Sequence, residues 1–163
     1  MTFEDIIGQS FLKKHLKQGV DSGRVPHAQL YVGKRGVGGL PLAIAYADYL
    51  MKQQQEGVGA VSPLTHPNIH FVYPVTTSEK VKSKPIASNY INEWRSFVEA
   101  SPYGSINDWY ECLGVGNKQG NIGVEEANDI VSKMSLKAFN GGYKLMIVWM
   151  AEKMNSMCAN KLL

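Results

Sequence analysis

The sequence has little cysteine and no long apolar stretch. Its 163 residues include two cysteines, Cys112 and Cys158, which lie far apart and form no Cys-x-x-Cys pair. This excludes a disulfide framework and a zinc site of the usual spacing, and it indicates a reducing, cytoplasmic environment. The chain begins without a basic and then apolar leader, and no run approaches the ~20 apolar residues that cross a bilayer. We therefore expect neither export nor membrane insertion.

Charge of either sign is also modest. Lysine and arginine total 17, aspartate and glutamate total 14, and the formal net charge is +3. This balance permits contact with nucleic acid but is not that of a dedicated basic arm. Because 44% of the residues are hydrophobic, the chain can bury the core of one globular domain. We expect residues 1–163 to form that domain.

The spacing of apolar residues predicts helices that alternate with strands. Helices are predicted over 8–20, 41–54, 91–98, 122–139 and 155–163, and strands over 28–32, 69–73 and 144–150. Ser88 is expected to cap the third helix, and residues 101–120 are predicted to be turn-rich with Trp109 and Leu113 as anchors. This order predicts an α/β domain of three layers with a mostly parallel central sheet.

A glycine-rich loop lies between the first predicted strand and the helix that begins near Pro41. Gly33 and Gly38 fit the phosphate-loop pattern G-x-x-x-x-G-K-[ST], but Gly39 stands in place of the lysine and Leu40 in place of the hydroxyl residue. In a nucleotide hydrolase these two residues neutralise phosphate charge and hold Mg²⁺. The sequence therefore predicts a P-loop NTPase-like fold whose phosphate loop is degenerate. The loop residues are Gly33, Gly36, Gly38, Gly39 and Leu40.

Two interpretations of the loop remain open. Successive main-chain amides at a helix start can attract an anion even without the lysine. Alternatively, the glycines only form a tight turn between a strand and a helix. A dinucleotide-binding G-x-G-x-x-G series that starts at Gly36 is excluded, because Pro41 stands where the last glycine is required.

The end of the last predicted strand has lost its acidic residues as well. Hydrolysing members of this fold place an aspartate for Mg²⁺ and a glutamate for water there, whereas this chain has Trp149 and Met150. An indole and a thioether can neither bind a hard cation nor accept a proton from water. Glu152 is an alternative, displaced acid, although its position suits the start of a helix. We expect no catalytic residue, no metal and no cofactor in this chain.

The order of several motifs resembles the AAA+ domain of clamp-loader subunits, over nearly the whole chain. The matching segments are Phe3-Glu4-Asp5-Ile6-Ile7-Gly8-Gln9, Gly23-Arg24-Val25-Pro26-His27-Ala28, the glycine loop, His66-Pro67, Glu152-Lys153-Met154 and Ala159-Asn160-Lys161-Leu162-Leu163. Within this family, the loss of both nucleotide motifs is similar to the delta-prime subunits of bacterial DNA polymerase III.

This resemblance implies a stator, a rigid subunit of a ring whose neighbours hydrolyse ATP to place the sliding clamp on DNA. It implies gamma/tau-type and delta-type subunits as partners, and contact with the clamp and primer-template DNA through the assembled complex. A Ser-Arg-Cys motif of the family would lie beyond Leu163, so we expect residues 1–163 to be the amino-terminal part of a longer protein. The family's four-cysteine zinc module is not carried over, because residues 52–65 contain no cysteine.

Two surface patterns are candidates for contacts. Arg24, Pro26 and His27 precede the first predicted strand, where a related ATPase would contact adenine or a neighbouring subunit, and we predict an interface or structural role for them. Lys13, Lys14 and Lys17 form a basic helix face that either contacts duplex phosphate or is solvated surface.

Three functions thus remain for comparison. The first is a non-hydrolysing scaffold subunit of the clamp loader. The second is an ATP-hydrolysing subunit of the gamma/tau type with an unusual loop, which predicts Mg²⁺-dependent ATP binding. The third is a stand-alone DNA-binding module, which predicts tight, steeply salt-dependent DNA binding by this chain alone.

Overall fold

The structure, a computed structural model, describes residues 1–54 and 61–163. Within those residues it has six α-helices: α1 (Ser10–Asp21), α2 (Gly39–Gln54), α3 (Ile91–Ala100), α4 (Ile106–Cys112), α5 (Val124–Ser135) and α6 (Ser156–Leu162). Two strands, β1 (Ile69–Val72) and β2 (Leu145–Val148), and three short 3₁₀ helices (Phe3–Asp5, Ala87–Tyr90 and Ala151–Lys153) complete the described elements. The predicted α/β class is confirmed. Part of the segment between the helix predicted over 41–54 and the strand predicted over 69–73 lies outside the described residues.

The two strands form a parallel pair. Ile69 is paired with Leu145 at one end of the ladder. Just before β1, the buried side chain of Asn68 bonds both main-chain groups of Phe139: Nδ2 donates to the carbonyl at 2.9 Å, and Oδ1 accepts from the amide at 2.7 Å. The Asn68 carbonyl also accepts from the amide of Leu145 at 2.8 Å. Asn68 therefore joins the start of β1 to Phe139 and to the first residue of β2.

Successive residues of the strands pack into different apolar clusters, as the alternation of side chains along a strand requires. Phe71 and Ile147 join the larger cluster, which includes residues of α2, α3 and α4. Val72 and Val148 join a smaller cluster with residues of α5 and α6, among them Ile130. The sheet is thus covered by apolar side chains on both faces.

Aromatic rings dominate the larger cluster. Trp94 and Trp109 are fully buried, with ring centroids 5.3 Å apart in an edge-to-face arrangement, and Tyr73 stacks on Trp94 at 4.0 Å. The indole nitrogen of Trp109 donates to the carbonyl of Pro74 at 2.8 Å, as a buried indole usually requires. The prediction of Trp109 as a core anchor is confirmed.

The predicted strand over 28–32 is wrong. This segment has no strand structure, and Leu30 and Val32 are 82% and 87% exposed. An isolated strand leaves its main-chain groups unpaired, and within the described residues the sheet consists of β1 and β2, neither of which pairs with this segment. Side-chain bonds hold the segment instead. The Tyr31 hydroxyl donates to Gln29 at 2.9 Å, and Gln29 donates to Tyr46 of α2 at 2.8 Å.

The turn-rich prediction for residues 101–120 overlooked a helix. Helix α4 begins after Ser105, whose Oγ accepts from the amide of Asp108 at 3.3 Å while the Asp108 carboxylate accepts from the amide of Ser105 at 2.7 Å. This reciprocal capping box fixes the helix start. Ser88 does not cap α3, because it lies inside the 3₁₀ helix that precedes Ile91.

Two other helices differ from their predictions in extent or orientation. Helix α5 ends at Ser135, before the predicted end at residue 139. The ammonium group of Lys144 donates to the carbonyls of Lys133 and Leu136 at this end of the helix. The apolar pattern predicts Phe11 on the core face of α1, but its ring is 80% exposed and stacks on His15. Two other apolar residues of α1, Leu16 and Val20, pack against the core.

Candidate functional site: the glycine loop and the end of β2

The glycine loop, residues 33–40, forms the connection into α2. Gly36 and Gly38 have positive φ angles of 77° and 89°, a region that glycine enters without steric cost. The side chain of Val37 folds back over Gly33, where an added Cβ would lie 2.5 Å from Val37 Cγ2. Glycine is therefore required at these positions by the shape of the turn.

Gly39 and Leu40, at the positions of the lysine and the hydroxyl residue in the phosphate-loop pattern, form the start of α2. Gly39 carries no cation, and the side chain of Leu40 is 8% exposed within the core. Pro41 is also buried and has no main-chain N–H to offer a phosphate. The cationic side chains of the loop belong instead to Lys34 and Arg35, which are exposed. The first turn of α2 thus serves core packing.

Two side chains from elsewhere hold the glycine loop. The ring of Tyr103, in the turn between α3 and α4, lies against Gly38, where an added Cβ would be 2.8 Å from Tyr103 Cε1. The Tyr103 hydroxyl accepts from the amide of Ile7 at 2.9 Å. Gln9 Nε2 donates to the carbonyl of Val37 at 3.1 Å. Gln9 lies in a motif shared with clamp-loader subunits, to which the sequence assigns no role, and no local pattern signals the contact made by Tyr103.

At the end of β2, Trp149 and Met150 pack against the larger apolar cluster. The Trp149 ring lies 5.3 Å from Trp94 and 5.8 Å from Phe97 between centroids. Met150 adopts a left-handed conformation with φ of 59° and packs against the same cluster. Glu152, the displaced acid considered above, is exposed in a 3₁₀ helix. The strand end therefore presents apolar side chains to the core.

The turn between α3 and α4 lies between the glycine loop and the end of β2. Tyr103 contacts the glycine loop, and at the next residue, Gly104, an added Cβ would lie 2.8 Å from the Phe97 ring. Phe97 in turn packs against Trp149. A continuous set of contacts thus runs from the loop to the strand end through Tyr103, Gly104 and Phe97.

A comparison with known protein families shows the family to which this chain belongs. A family model described as DNA polymerase III, delta subunit, matches residues 8–163. The chain belongs to this delta subunit family. It is a clamp-loader-type subunit of DNA polymerase III, and the predicted family is confirmed. No curated protein and no solved structure matches the chain.

In this delta-family chain, two of the three lysines of the candidate DNA-contact face are engaged within the domain. Lys13 donates to main-chain oxygens of the amino-terminal segment at 2.9 and 3.2 Å. Lys17 pairs with Glu4 at 2.9 Å and lies 5.3 Å from the centroid of the Phe3 ring. This ion pair holds the pKa of the Glu4 carboxyl well below its usual range, at about 2. Lys14 is exposed.

The predicted interface residues of the delta-family chain lie on the surface after α1. Arg24, Pro26 and His27 are all exposed, and the Arg24 side chain donates to Ser22 at 3.2 Å. The structure brings them together in one short segment, separate from the contacts around the glycine loop described above.

Across residues 1–54 and 61–163, no helix is long and apolar enough to cross a membrane. The same residues hold no group of three or more side chains suited to a metal ion.

Proposed function

We propose that this chain is a non-hydrolysing scaffold, or stator, of the bacterial DNA polymerase III clamp loader, of the delta-prime kind. It acts in the cytoplasm during DNA replication, in a hetero-oligomer with gamma/tau-type and delta-type subunits. The observation on which the proposal rests is that the residues in place of the hydroxyl and of the acids pack in or against the core. Leu40 lies in the core at the loop, and Trp149 packs on other aromatic rings at the strand end.

The electrostatic requirements of phosphoryl transfer support this proposal. Catalysis of that reaction depends on a cation at the β/γ-phosphates, a bound Mg²⁺ and an oriented water. Gly39 and Leu40 supply neither the cation nor the metal-binding hydroxyl. Trp149 and Met150 supply no carboxylate for the metal or the water. A subunit of this kind assists turnover elsewhere in the ring without hydrolysing ATP itself.

A three-layer AAA+ arrangement is part of the same proposal. The parallel pairing of β1 with β2 supports it, and so does the packing of each sheet face against apolar residues of different helices. Doubly covered parallel sheets of this kind occur in α/β folds. Residues 1–163 are then a degenerate AAA+ domain.

Nucleotide binding tests the proposal directly. We expect the purified chain to show no Mg²⁺-dependent affinity for ATP up to millimolar concentration in isothermal titration calorimetry, and no ATP hydrolysis above the background rate. A dissociation constant in the micromolar range that requires Mg²⁺ would refute the proposal and favour the hydrolysing gamma/tau-type subunit.

A matched variant separates specific binding from simple charge attraction. Lys34 and Arg35 are exposed cations on the loop, and exposed charges attract anions weakly and in a salt-dependent way. Weak ATP binding that comes from surface attraction should disappear in the double variant Lys34→Ala/Arg35→Ala. It should also disappear at higher salt, whether or not Mg²⁺ is present. Binding of this kind leaves the proposal intact.

Contacts with partners follow from the same proposal. Arg24, Pro26 and His27 are proposed to contact a neighbouring subunit, because all three are exposed in one segment. Lys13, Lys14 and Lys17 are proposed as the face nearest to DNA in the assembled ring. Lys14 is the member that contributes most, since the ammonium groups of the other two are engaged internally.

DNA binding distinguishes this role from that of a stand-alone module. We expect the chain alone to bind duplex DNA weakly, and Lys14→Ala to reduce the salt dependence of binding by the assembled complex by about one counterion. Nanomolar binding by the isolated chain at physiological salt, with a steep salt slope, would favour the DNA-binding module instead.

A further inference from the structure

Three internal contacts involve the glycine loop. Two of them come from other parts of the chain, and the third lies within the loop. The Tyr103 ring lies against Gly38, the Gln9 side chain donates to the carbonyl of Val37, and the Val37 side chain lies against Gly33. In an active P-loop protein the phosphates and the lysine make the contacts that order this loop. Here the loop is ordered by protein side chains.

Tyr103 is the side chain that joins the loop to another segment through two different groups. Its ring contacts Gly38, and its hydroxyl accepts from the amide of Ile7. Gly38 makes the ring contact possible, because a Cβ there would lie 2.8 Å from the ring and its φ is 89°. Gly104 lets the turn that holds Tyr103 lie against Phe97. Tyr103 is therefore held by the contact of its ring with Gly38 and by the hydrogen bond of its hydroxyl with Ile7.

We propose that Tyr103 is an internal brace that takes the place of a bound nucleotide, holding the glycine loop and the Ile7–Gln9 segment in one conformation. This inference rests on the proposed non-hydrolysing function, which removes the nucleotide as a source of order. The brace gives a stator a fixed loop at all times, whereas a nucleotide-binding neighbour changes the order of its loop with each turnover. Tyr103 is a positioning residue in this role.

Hydrogen exchange of individual amides tests the brace. In Tyr103→Ala we expect exchange to become about tenfold faster at the amides of residues 36–39 and at Ile7, because both groups of the tyrosine are lost. In Tyr103→Phe, which keeps the ring, we expect about fivefold faster exchange at Ile7 and no change in the loop.

A substitution in the loop tests the coupling from the other side. Gly38→Ala places a methyl group where the Tyr103 ring lies, so the ring must move. We expect faster exchange at Ile7 in Gly38→Ala although Tyr103 is intact. Tyr143→Ala, at a tyrosine on the turn before β2, is the matched control and should change neither the loop nor Ile7.

The outcomes separate the brace from the proposed function. Unchanged loop exchange in folded Tyr103→Ala, or equal loop exchange in Tyr103→Ala and Tyr103→Phe, would overturn the brace and leave the stator proposal standing. If Tyr103→Ala does not fold, unchanged exchange at Ile7 in both Tyr103→Phe and Gly38→Ala would overturn it. Protection of the wild-type loop by Mg²⁺-ATP would instead overturn the stator proposal.

Discussion

Replacing the buried acid Glu126 should change how the stability of this chain depends on pH. Glu126 lies in the first turn of α5 and is 1% exposed. Its Oε2 accepts from the amide of Ala87 at 2.6 Å. Burial raises the pKa of Glu126 from 4.5 to about 7 against the opposing effect of that bond, with Asp129 raising it further and Lys133 lowering it. The surroundings therefore favour the protonated carboxyl up to about pH 7.

The sign and size of the effect follow from proton linkage. Between pH 4.5 and about 7 the folded state keeps the proton that the unfolded state has released, so the free energy of unfolding falls as pH rises. A gap of this size corresponds to roughly 3 kcal/mol as an upper limit, at 1.36 kcal/mol per unit. Below pH 4.5 both states are protonated, and well above pH 7 both are ionised, so the contribution is constant there.

Urea unfolding at pH 5, 6, 7 and 8, followed by tryptophan fluorescence, measures this contribution in wild type and Glu126→Gln. Burial lowers the pKa of His66 and His70, which makes stability rise with pH in part of the same interval. The comparison must therefore use the difference between the two proteins at each pH. We expect Glu126→Gln to gain about 2 kcal/mol relative to wild type between pH 5 and pH 8.

Glu111→Gln is the control, because Glu111 is an exposed acid on α4. It should leave the pH profile of wild type unchanged. If the difference between Glu126→Gln and wild type is the same at pH 5 and pH 8, the reasoning about the buried carboxyl is refuted.

Two further substitutions test the folded core and a helix start. Ser105→Ala removes the side-chain half of the α4 capping box and should cost about 1 kcal/mol in urea unfolding; an equal loss in Ser96→Ala, outside any cap, would contradict this origin. Trp109→Phe leaves the buried carbonyl of Pro74 without its donor, whereas the indole nitrogen of Trp94 has no partner among the described residues. Trp109→Phe should therefore destabilise the protein by about 1–2 kcal/mol more than Trp94→Phe in the same assay, and equal losses would contradict the prediction.

The local order of elements could be predicted where apolar periodicity and terminal signals agree. Helix α2 and strand β2 lie where the sequence places them, because a proline and glycines mark the first and a continuous apolar run marks the second. Helix α4 was missed although Ser105 and Asp108 form a readable capping box. Glycines and a proline nearby lead instead to the prediction of turns over residues 101–120.

Long-range contacts could not be predicted from local pattern. Residues 28–32 have the composition of a strand, yet a strand depends on a hydrogen-bonded neighbour that local sequence does not specify. The absence of a lysine and of acids at the site could be read directly from Gly39, Leu40, Trp149 and Met150. The contact of Tyr103 with Gly38 could not, because the two residues are brought together only by the packing of the turn between α3 and α4.

The Asn68 amide has a consequence for the alignment of the sheet. It bonds Phe139, 71 residues away in the chain, through both its donor and its acceptor, and closing so long a loop is entropically costly. A slip of one residue in β1 would exchange the side chains that face the two apolar clusters. The same slip would also break both bonds of Asn68. Asn68, which lies outside the ladder, thus disfavours this misaligned pairing of the two strands.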